Sequence, residues 1–195
     1  MSFFGKAAHG KAAHGKAVVV VASLAYPGAV YLGRGAVPPM AFVAVALALI
    51  GLRLAASTSP EARVWRAPLA GAAVVLAVLA LLDPALAAKA YPVAVSLGVA
   101  AAFGVTLRHP PSLIERFARR CEPDLPPRGV AYCRAVTALW TGWLLLNAAI
   151  AAALAVAGSD EAWALWTGLL SYLVTGALFA GEFLVRRTVR ERGGA

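Results

Sequence analysis

Four arginines in and beside the longest polar connection are the residues whose type and spacing most suggest binding chemistry. They are Arg108, Arg116, Arg119 and Arg120. Guanidinium groups bind carboxylates and phosphates through paired hydrogen bonds, so this cluster is a candidate docking surface for an anionic partner. Acidic lipid head groups and an acidic carrier protein both fit that chemistry. A charged loop without a binding role is the alternative interpretation.

The segment that carries three of these arginines is predicted to be a short helix. Ser112 and Glu115 have the spacing of a capping box, which places the start of a helix at Ser112. The apolar side chains that follow share one face, which is typical of an interfacial helix lying on a membrane surface. These side chains are Leu113, Ile114, Phe117 and Cys121.

A second group of polar residues lies within otherwise apolar segments. A polar side chain inside a membrane helix faces other helices or a wet cavity, so this group is a candidate intramembrane site. Packing contacts between helices are the alternative, and for Glu182 a local ion pair with Arg186 is a further one. The candidate residues are Asn147, Ser171, Thr175, Glu182, Tyr26 and Tyr91.

Tyr26 and Tyr91 belong to two similar nine-residue stretches, 25–33 and 90–98, each beginning Ala-Tyr-Pro. The similarity does not extend beyond these stretches, so it does not indicate a duplication. Proline frees a helix carbonyl and bends the helix. Two such helices could line a pocket, or they could share a packing device.

Little in the sequence supports catalysis or cofactor binding. Two of the three histidines lie in the N-terminal repeat, and Cys121 and Cys133 match no redox or metal pattern. Phosphate-binding glycine loops, zinc-ligand clusters and nucleophile elbows do not occur. We therefore assign no catalytic residue, cofactor or metal site, and we expect the two cysteines to act as small hydrophobic residues.

The composition indicates which elements must position these groups. Of the 195 residues, 61% are hydrophobic and 14% are charged, and mean hydropathy is +0.76. A soluble domain is about 45–50% apolar and about 25% charged. We therefore predict an all-α, multi-pass membrane protein with one domain over 17–187, between basic tails at 1–16 and 188–195. Six transmembrane helices are predicted, at 17–33, 37–53, 67–82, 85–107, 133–157 and 162–185.

The ends of these helices carry recognisable signals. Asp83 and Ser159 are predicted N-caps, and Pro84 suits a first helical position. Trp163 and Trp166 are predicted to lie in an aromatic belt at one membrane surface.

The distribution of basic residues predicts the orientation. Sixteen of the 18 lysines and arginines lie on one side of the predicted spans, and only Arg34 and Lys89 lie on the other. The positive-inside rule then places both termini in the cytoplasm of a bacterial inner membrane. The net charge of +9 is therefore explained mainly by topology, and nucleic acid is not an expected partner.

The C-terminal half resembles an uncharacterised family of small bacterial inner-membrane proteins. The similarity covers 110–119, 122–127, 132–137, Trp140, Asn147, 163–172 and Gly181–Glu182. Before these segments it rests on hydropathy and on Tyr26–Pro27, and Thr167 stands where relatives are expected to have Asn. Genes for this family often lie among those for aryl-polyene or xanthomonadin-type pigment lipids.

The resemblance implies a non-catalytic accessory role in the biosynthesis or export of a polyketide-like membrane lipid, with an acidic acyl-carrier protein or anionic lipid at the arginine cluster. Some members carry the label "ketosynthase". Condensing enzymes need a buried cysteine and two further catalytic groups, which this sequence lacks. A transporter with a midplane site and a structural scaffold are the alternative functions. The sequence does not predict an oligomeric state.

Overall fold

The computed structural model describes the backbone of residues 3–56 and 63–193, and the side chains of residues 18–55 and 64–186. Within these ranges the chain forms helices and no strand. A π-helical turn, Trp166–Leu170, joins the last two helices into one continuous rod. The helices are α1 (Phe3–Gly33), α2 (Pro39–Ala56), α3 (Arg63–Leu82), α4 (Pro84–Arg108), α5 (Leu113–Cys121), α6 (Pro127–Ala157), α7 (Asp160–Leu165) and α8 (Ser171–Gly193).

The predicted helix starts are confirmed where their caps are described. Asp83 accepts hydrogen bonds from the N–H groups of Ala85 and Leu86, and Pro84 is the first residue of α4. Ser159 accepts from the N–H of Ala162 and caps α7. The backbone of α1 is helical from Phe3 onward, so the domain boundary predicted at residue 17 is not a break in that helix.

Four helices of the described chain are long and apolar enough to cross a membrane. They are Val64–Leu82, Pro84–Arg108, Pro127–Ala157 and Asp160–Arg186. Two more apolar helices, Val18–Gly33 and Pro39–Ala55, are shorter than this length. Large apolar side chains on these helices are exposed on the outside of the bundle, as is typical of surfaces that contact lipid.

Helix α4 is the centre of the bundle and packs against α2, α3 and α6. Its buried positions are mostly small residues, including Ala87, Ala94, Gly98 and Ala102, which let neighbouring helices approach closely. Connections at one end of the bundle, which we call the Arg34 end, include the turn 34–38, Asp83 and the Gly158–Ser159 junction. The opposite end carries α5, and we call it the α5 end.

Candidate functional site

A cavity of about 500 Å³ opens at the Arg34 end. We call it the end cavity. It lies between the C-terminal turns of α1, the first turns of α2 and α4, and α7. Apolar side chains such as Val30, Val37 and Phe42 line one part, and Arg34, Lys89, Asp160 and Trp163 line the rest. Clefts of this size and mixed lining are typical of small-molecule sites.

Ion pairs connect the charged side chains of the end cavity. Lys89 Nζ pairs with Asp160, and an Arg34 guanidinium nitrogen lies 2.8 Å from Glu161 Oε1. Arg34 also stacks on the ring of Tyr31, with 3.9 Å to the centroid. Interaction with Tyr31, followed by the negative charges of Glu161 and Asp160, raises the pKa of Arg34 above its usual value. Arg34 therefore stays charged at any physiological pH.

Arg34 and Lys89 are the two basic residues that the charge distribution assigns to the side opposite the other sixteen. The structure brings these two exceptions together at the end cavity, although they are 55 positions apart. In the sequence, the sign that pointed to the end cavity was that these two basic residues lie on the side of the predicted spans that otherwise has none. Spacing and residue type alone gave Arg34 and Lys89 no role beyond topology.

Trp163 is buried and not part of an aromatic belt, so that prediction was wrong. Only 1% of its surface is exposed, and it packs in the same core cluster as Tyr26, Val43 and Leu76. Its indole Nε1 has no hydrogen-bond partner among the described residues. The Trp163 side chain also lines the end cavity.

The two Tyr-Pro motifs cross beneath the end cavity and bond to each other. Tyr26 Oη donates to the carbonyl of Ala88 at 2.9 Å, and this is the carbonyl that Pro92 leaves without its usual helical donor. Tyr91 Oη lies 3.0 Å from Ser23 Oγ, and residue 23 is four positions before Pro27. Tyr26 thus bonds to the residue four positions before Pro92, and Tyr91 bonds to the residue four positions before Pro27.

The rings of Tyr26 and Tyr91 are in contact, with centroids 4.5 Å apart. Both side chains are 2% exposed. Tyr26 also lies 3.2 Å from the carbonyl of Phe42, which lines the end cavity together with Ala88. The crossing therefore lies next to Phe42 and Ala88, two residues that line the end cavity.

Ser23 connects this crossing to Arg53 of α2. Its hydroxyl donates to the carbonyl of Val19 at 2.7 Å, so its oxygen accepts from Tyr91 and from an Arg53 nitrogen 2.9 Å away. The single hydroxyl hydrogen of Ser23 is committed to the backbone. This arrangement fixes the helices but cannot pass a proton from Tyr91 to Arg53.

Both the nitrogen and the oxygen of the Asn147 side-chain amide are hydrogen-bonded. Its Nδ2 donates to Ser96 Oγ at 3.1 Å, and its Oδ1 accepts from Trp166 Nε1 at 3.1 Å. These bonds join α4, α6 and the π-helical turn. Asn147 is thus a contact between helices, and the predicted intramembrane group does not converge on it.

The other predicted polar residues lie along the contact between α6 and α8. Thr175 accepts from Trp143 Nε1 at 3.0 Å, and Glu182 accepts from Tyr132 Oη at 3.2 Å. Ser171 is 6% exposed, and its carbonyl accepts from the Thr175 hydroxyl. No ion pair joins Glu182 to Arg186 among the described side chains. Thr175 and Glu182 thus join α8 to α6, whereas the bond of Ser171 lies within α8.

A third polar cluster holds α5 against the bundle, and we call it the α5 junction. The first two N–H groups of α5, from Leu113 and Ile114, donate to the hydroxyls of Thr106 on α4 and Thr137 on α6. Glu115, 6% exposed, accepts from the N–H of Ser112, which is the N-cap of α5. The predicted short helix with its start at Ser112 is therefore confirmed. Sequence analysis did not identify Thr106 and Thr137, because threonines inside apolar helices usually bond to their own helix.

The four arginines of the predicted docking surface do not form one uniform patch. Arg116 donates to the carbonyls of Pro111 and His109, and Arg119 pairs with Glu115 at 2.8 Å. These two side chains hold the loops on either side of α5. Arg120 lies over the ring of Phe117, and Arg108 is exposed at the end of α4.

Comparison with protein-family models, with curated proteins and with solved structures found no match for this chain. Among the described residues, no three His, Cys, Asp or Glu side chains are grouped so as to hold a metal ion. In the part of the chain that the structure describes, the end cavity brings polar and apolar side chains together around open space.

Proposed function

We propose that the chain is a multi-pass protein of a bacterial inner membrane, with six transmembrane helices and both termini in the cytoplasm. The shorter apolar helices α1 and α2 pack in the same bundle as the four longer ones. Six crossings also agree with the distribution of lysine and arginine, since sixteen of eighteen then lie on one side. The end cavity would lie at the periplasmic surface, and α5 would lie along the cytoplasmic surface.

Its function in this proposal is a non-catalytic accessory role in the biosynthesis or export of a polyketide-like, aryl-polyene-type membrane lipid. The observation that carries the proposal is the end cavity, because an apolar wall beside a charged rim suits a molecule with a chain and a polar head. The resemblance of the C-terminal half supplies the class of lipid.

An anionic partner at the cytoplasmic surface is part of the same proposal. Arg108 and Arg120 are exposed, whereas Arg116 and Arg119 hold the adjacent loops. We expect the first pair to contact an acidic acyl-carrier protein or anionic lipid, and the second pair to keep α5 in place for that contact.

Deletion of the gene followed by untargeted lipid and pigment profiling tests the role. A missing product indicates biosynthesis, and a product that accumulates in the inner membrane indicates export. Complementation with the double variant Arg108→Gln, Arg120→Gln should restore less product than complementation with wild type. An unchanged profile in the deletion strain would refute the accessory role.

Reporter fusions test the topology independently. A phosphatase active only in the periplasm should be active when fused after Arg34 and inactive when fused after Arg192. The opposite pattern would overturn the orientation.

A transporter is the second candidate, because Phe42 and Ala88, which line the end cavity, are bonded through their carbonyls to Tyr26 of the Tyr26–Tyr91 crossing. Transport would require that crossing to open. Lipid flux in proteoliposomes that is lost when Tyr26 and Tyr91 are joined by a cysteine cross-link would favour this function over the accessory role.

A further inference from the structure

We propose that Arg108, Arg116 and Arg120 bind the phosphate of an anionic phospholipid in the leaflet next to α5, with Phe117 against its acyl chains. The inference rests on the proposed function, because it selects a lipid rather than a carrier protein as the anionic partner at α5. It also adds Arg116, which keeps α5 in place with only part of its guanidinium group.

The first argument is the way in which Arg116 is held. Its Nε donates to the carbonyl of Pro111 at 2.8 Å, and one terminal nitrogen lies 3.4 Å from the carbonyl of His109. Both bonds lie at the exposed surface. A guanidinium has five N–H groups, so three remain for a further acceptor. Carbonyl oxygens carry no net charge, so Arg116 is fixed in position while its positive charge is not neutralised by these partners.

The second argument is the balance of charge beside α5. Four arginines and a single acid, Glu115, lie between residues 108 and 121. Glu115 is already paired with Arg119, at 2.8 Å. Among the described side chains, Arg108 and Arg116 take part in no ion pair. Their charge favours an anionic ligand, and a phosphate can accept several N–H groups at once.

The third argument is the arrangement of the three arginines. Arg116 contacts the carbonyl of His109, which directly follows Arg108. Arg120 comes one helical turn after Arg116, so these two side chains share a face of α5. Arg120 lies over the ring of Phe117, 5.4 Å from its centroid. The arginines therefore follow each other from the end of α4 to the last turn of α5, beside an aromatic ring.

The depth of α5 favours a lipid over a soluble partner. Thr106 comes 22 residues after Pro84, the first residue of α4, which is about 33 Å along the helix axis. The hydrocarbon core of a bilayer is about 30 Å thick. Because the N–H of Leu113 bonds to Thr106, α5 begins at the level of the lipid head groups.

Phe117 gives the second reason for choosing a lipid. Its side chain is 46% exposed on the same short helix as the arginines. On helices at a membrane surface, such aromatic side chains enter the boundary between head groups and acyl chains, while basic side chains contact anionic lipid. A lipid covers Phe117 and binds the arginines at once.

Binding of radiolabelled phosphatidylglycerol to the full chain in detergent micelles tests the proposal. Unlabelled phosphatidylcholine with the same acyl chains and inorganic phosphate are the competitors. We expect phosphatidylglycerol to bind at least about tenfold more tightly than phosphatidylcholine. Equal competition by the two lipids would overturn the proposal. Displacement by inorganic phosphate alone would assign the site to a free anion and would overturn the lipid.

Two variants test the arginines separately. Arg108→Gln removes an exposed charge, and Arg116→Gln removes a charge together with the bond to Pro111. Each should weaken binding of phosphatidylglycerol about fivefold, the usual contribution of one arginine near an anionic membrane surface. Arg134→Gln is the matched control, because it removes the same charge from an exposed position on α6. We expect it to change the affinity by less than about twofold.

Unchanged affinity in both Arg108→Gln and Arg116→Gln would refute the site. An equal loss in Arg134→Gln would show only the general charge of this end of the bundle and would also refute it. Should Arg116→Gln fail to fold, Arg108→Gln alone decides. Phe117→Ala should weaken binding about fivefold, because the acyl chains lose an apolar contact. An unchanged affinity in this variant would overturn the contact with the chains.

An acyl-carrier protein is the competing partner, and it is offered to the full chain in phosphatidylcholine nanodiscs. Carrier binding that Arg108→Gln and Arg116→Gln abolish, together with equal binding of the two lipids, would assign the surface to a protein and overturn the proposal.

The outcomes separate the lipid site from the proposed function. Selective binding of phosphatidylglycerol with an unchanged lipid profile in the deletion strain would refute the accessory role and leave the site standing. A changed profile with equal binding of the two lipids would refute the site and leave the role standing.

Discussion

At the α5 end, the first two N–H groups of helix α5 bond to Thr106 and Thr137 on neighbouring helices, whereas at the Arg34 end the buried N–H of Trp163 bonds to no described residue. At the α5 junction the two N–H groups and the Glu115 carboxylate are bonded, and Ser112 Oγ is a buried atom without a partner among the described residues. At the end cavity Arg34 and Lys89 are paired with Glu161 and Asp160 beside open space. The first region joins three helices through mostly buried bonds, whereas the charged pairs of the second are substantially exposed to solvent.

The largest expected effect lies at the α5 junction. Glu115→Ala removes the acceptor for the N–H of Ser112 and the partner of Arg119. We expect the free energy of unfolding in mixed detergent micelles to fall by about 2–3 kcal/mol, with a discount already made for the partly exposed Arg119. Glu122→Ala, at an exposed acid directly after α5, is the matched control. A loss below about 1 kcal/mol would show that the bonds of Glu115 to Ser112 and Arg119 contribute little to stability.

Tyr26→Phe tests the Tyr26–Tyr91 crossing next to the end cavity. The variant leaves the carbonyl of Ala88 without a donor, because Pro92 has no N–H to offer. Stability should fall by about 2 kcal/mol in the same denaturation experiment. Tyr31→Phe should change it little, since Arg34 stacks on the ring of Tyr31 and that ring remains. Equal losses in the two variants would contradict the bond to Ala88.

Asn147→Ala tests the hydrogen bonds that join α4, α6 and the π-helical turn. Both Ser96 and Trp166 lose their partner, and such bonds in membranes contribute about 0.6–2 kcal/mol. We expect a loss of about 1 kcal/mol in thermal stability measurements. Leu146→Ala, at an exposed neighbouring position, controls for the helix. Stability unchanged in Asn147→Ala would contradict a role of this residue as a contact between helices.

The smallest expected effect lies at the rim of the end cavity. Glu161→Gln breaks the pair with Arg34, in which both side chains are substantially exposed, at 44% for Arg34 and 59% for Glu161. Because solvent screens exposed pairs, we expect the free energy of unfolding to stay unchanged within experimental error. Chemical denaturation at low and high salt checks this. A clear, salt-dependent loss of stability would mean that this pair holds the bundle together, and the contrast with the α5 junction would disappear.

The sequence predicted those features that depend on neighbours along the chain. Helix starts at Asp83–Pro84, Ser112 and Ser159 follow from local capping rules, and the structure confirms them. Hydropathy predicted the long apolar helices, of which four meet the length for a span.

Features that depend on contacts between distant segments were not predictable in the same way. A tryptophan near the end of an apolar segment has the same sequence signature in a lipid-facing belt and in a core, so Trp163 was misplaced. The partners of Tyr26 depend on how α1 crosses α4, which spacing along the chain does not determine. Arg34 and Lys89 carried a signal in their charge, but only the fold brings them together.

The hydrogen bonds between the two Tyr-Pro segments have a consequence for biogenesis. A ribosome delivers α1 well before α4, and a buried carbonyl without a donor costs free energy. Pro92 leaves the carbonyl of Ala88 without a donor from α4 itself, and among the described residues Tyr26 supplies one. We therefore expect α1 to help α4 reach its packed position. Co-expressed halves divided between α3 and α4 should then assemble, whereas a half that begins at α4 should be degraded when expressed alone.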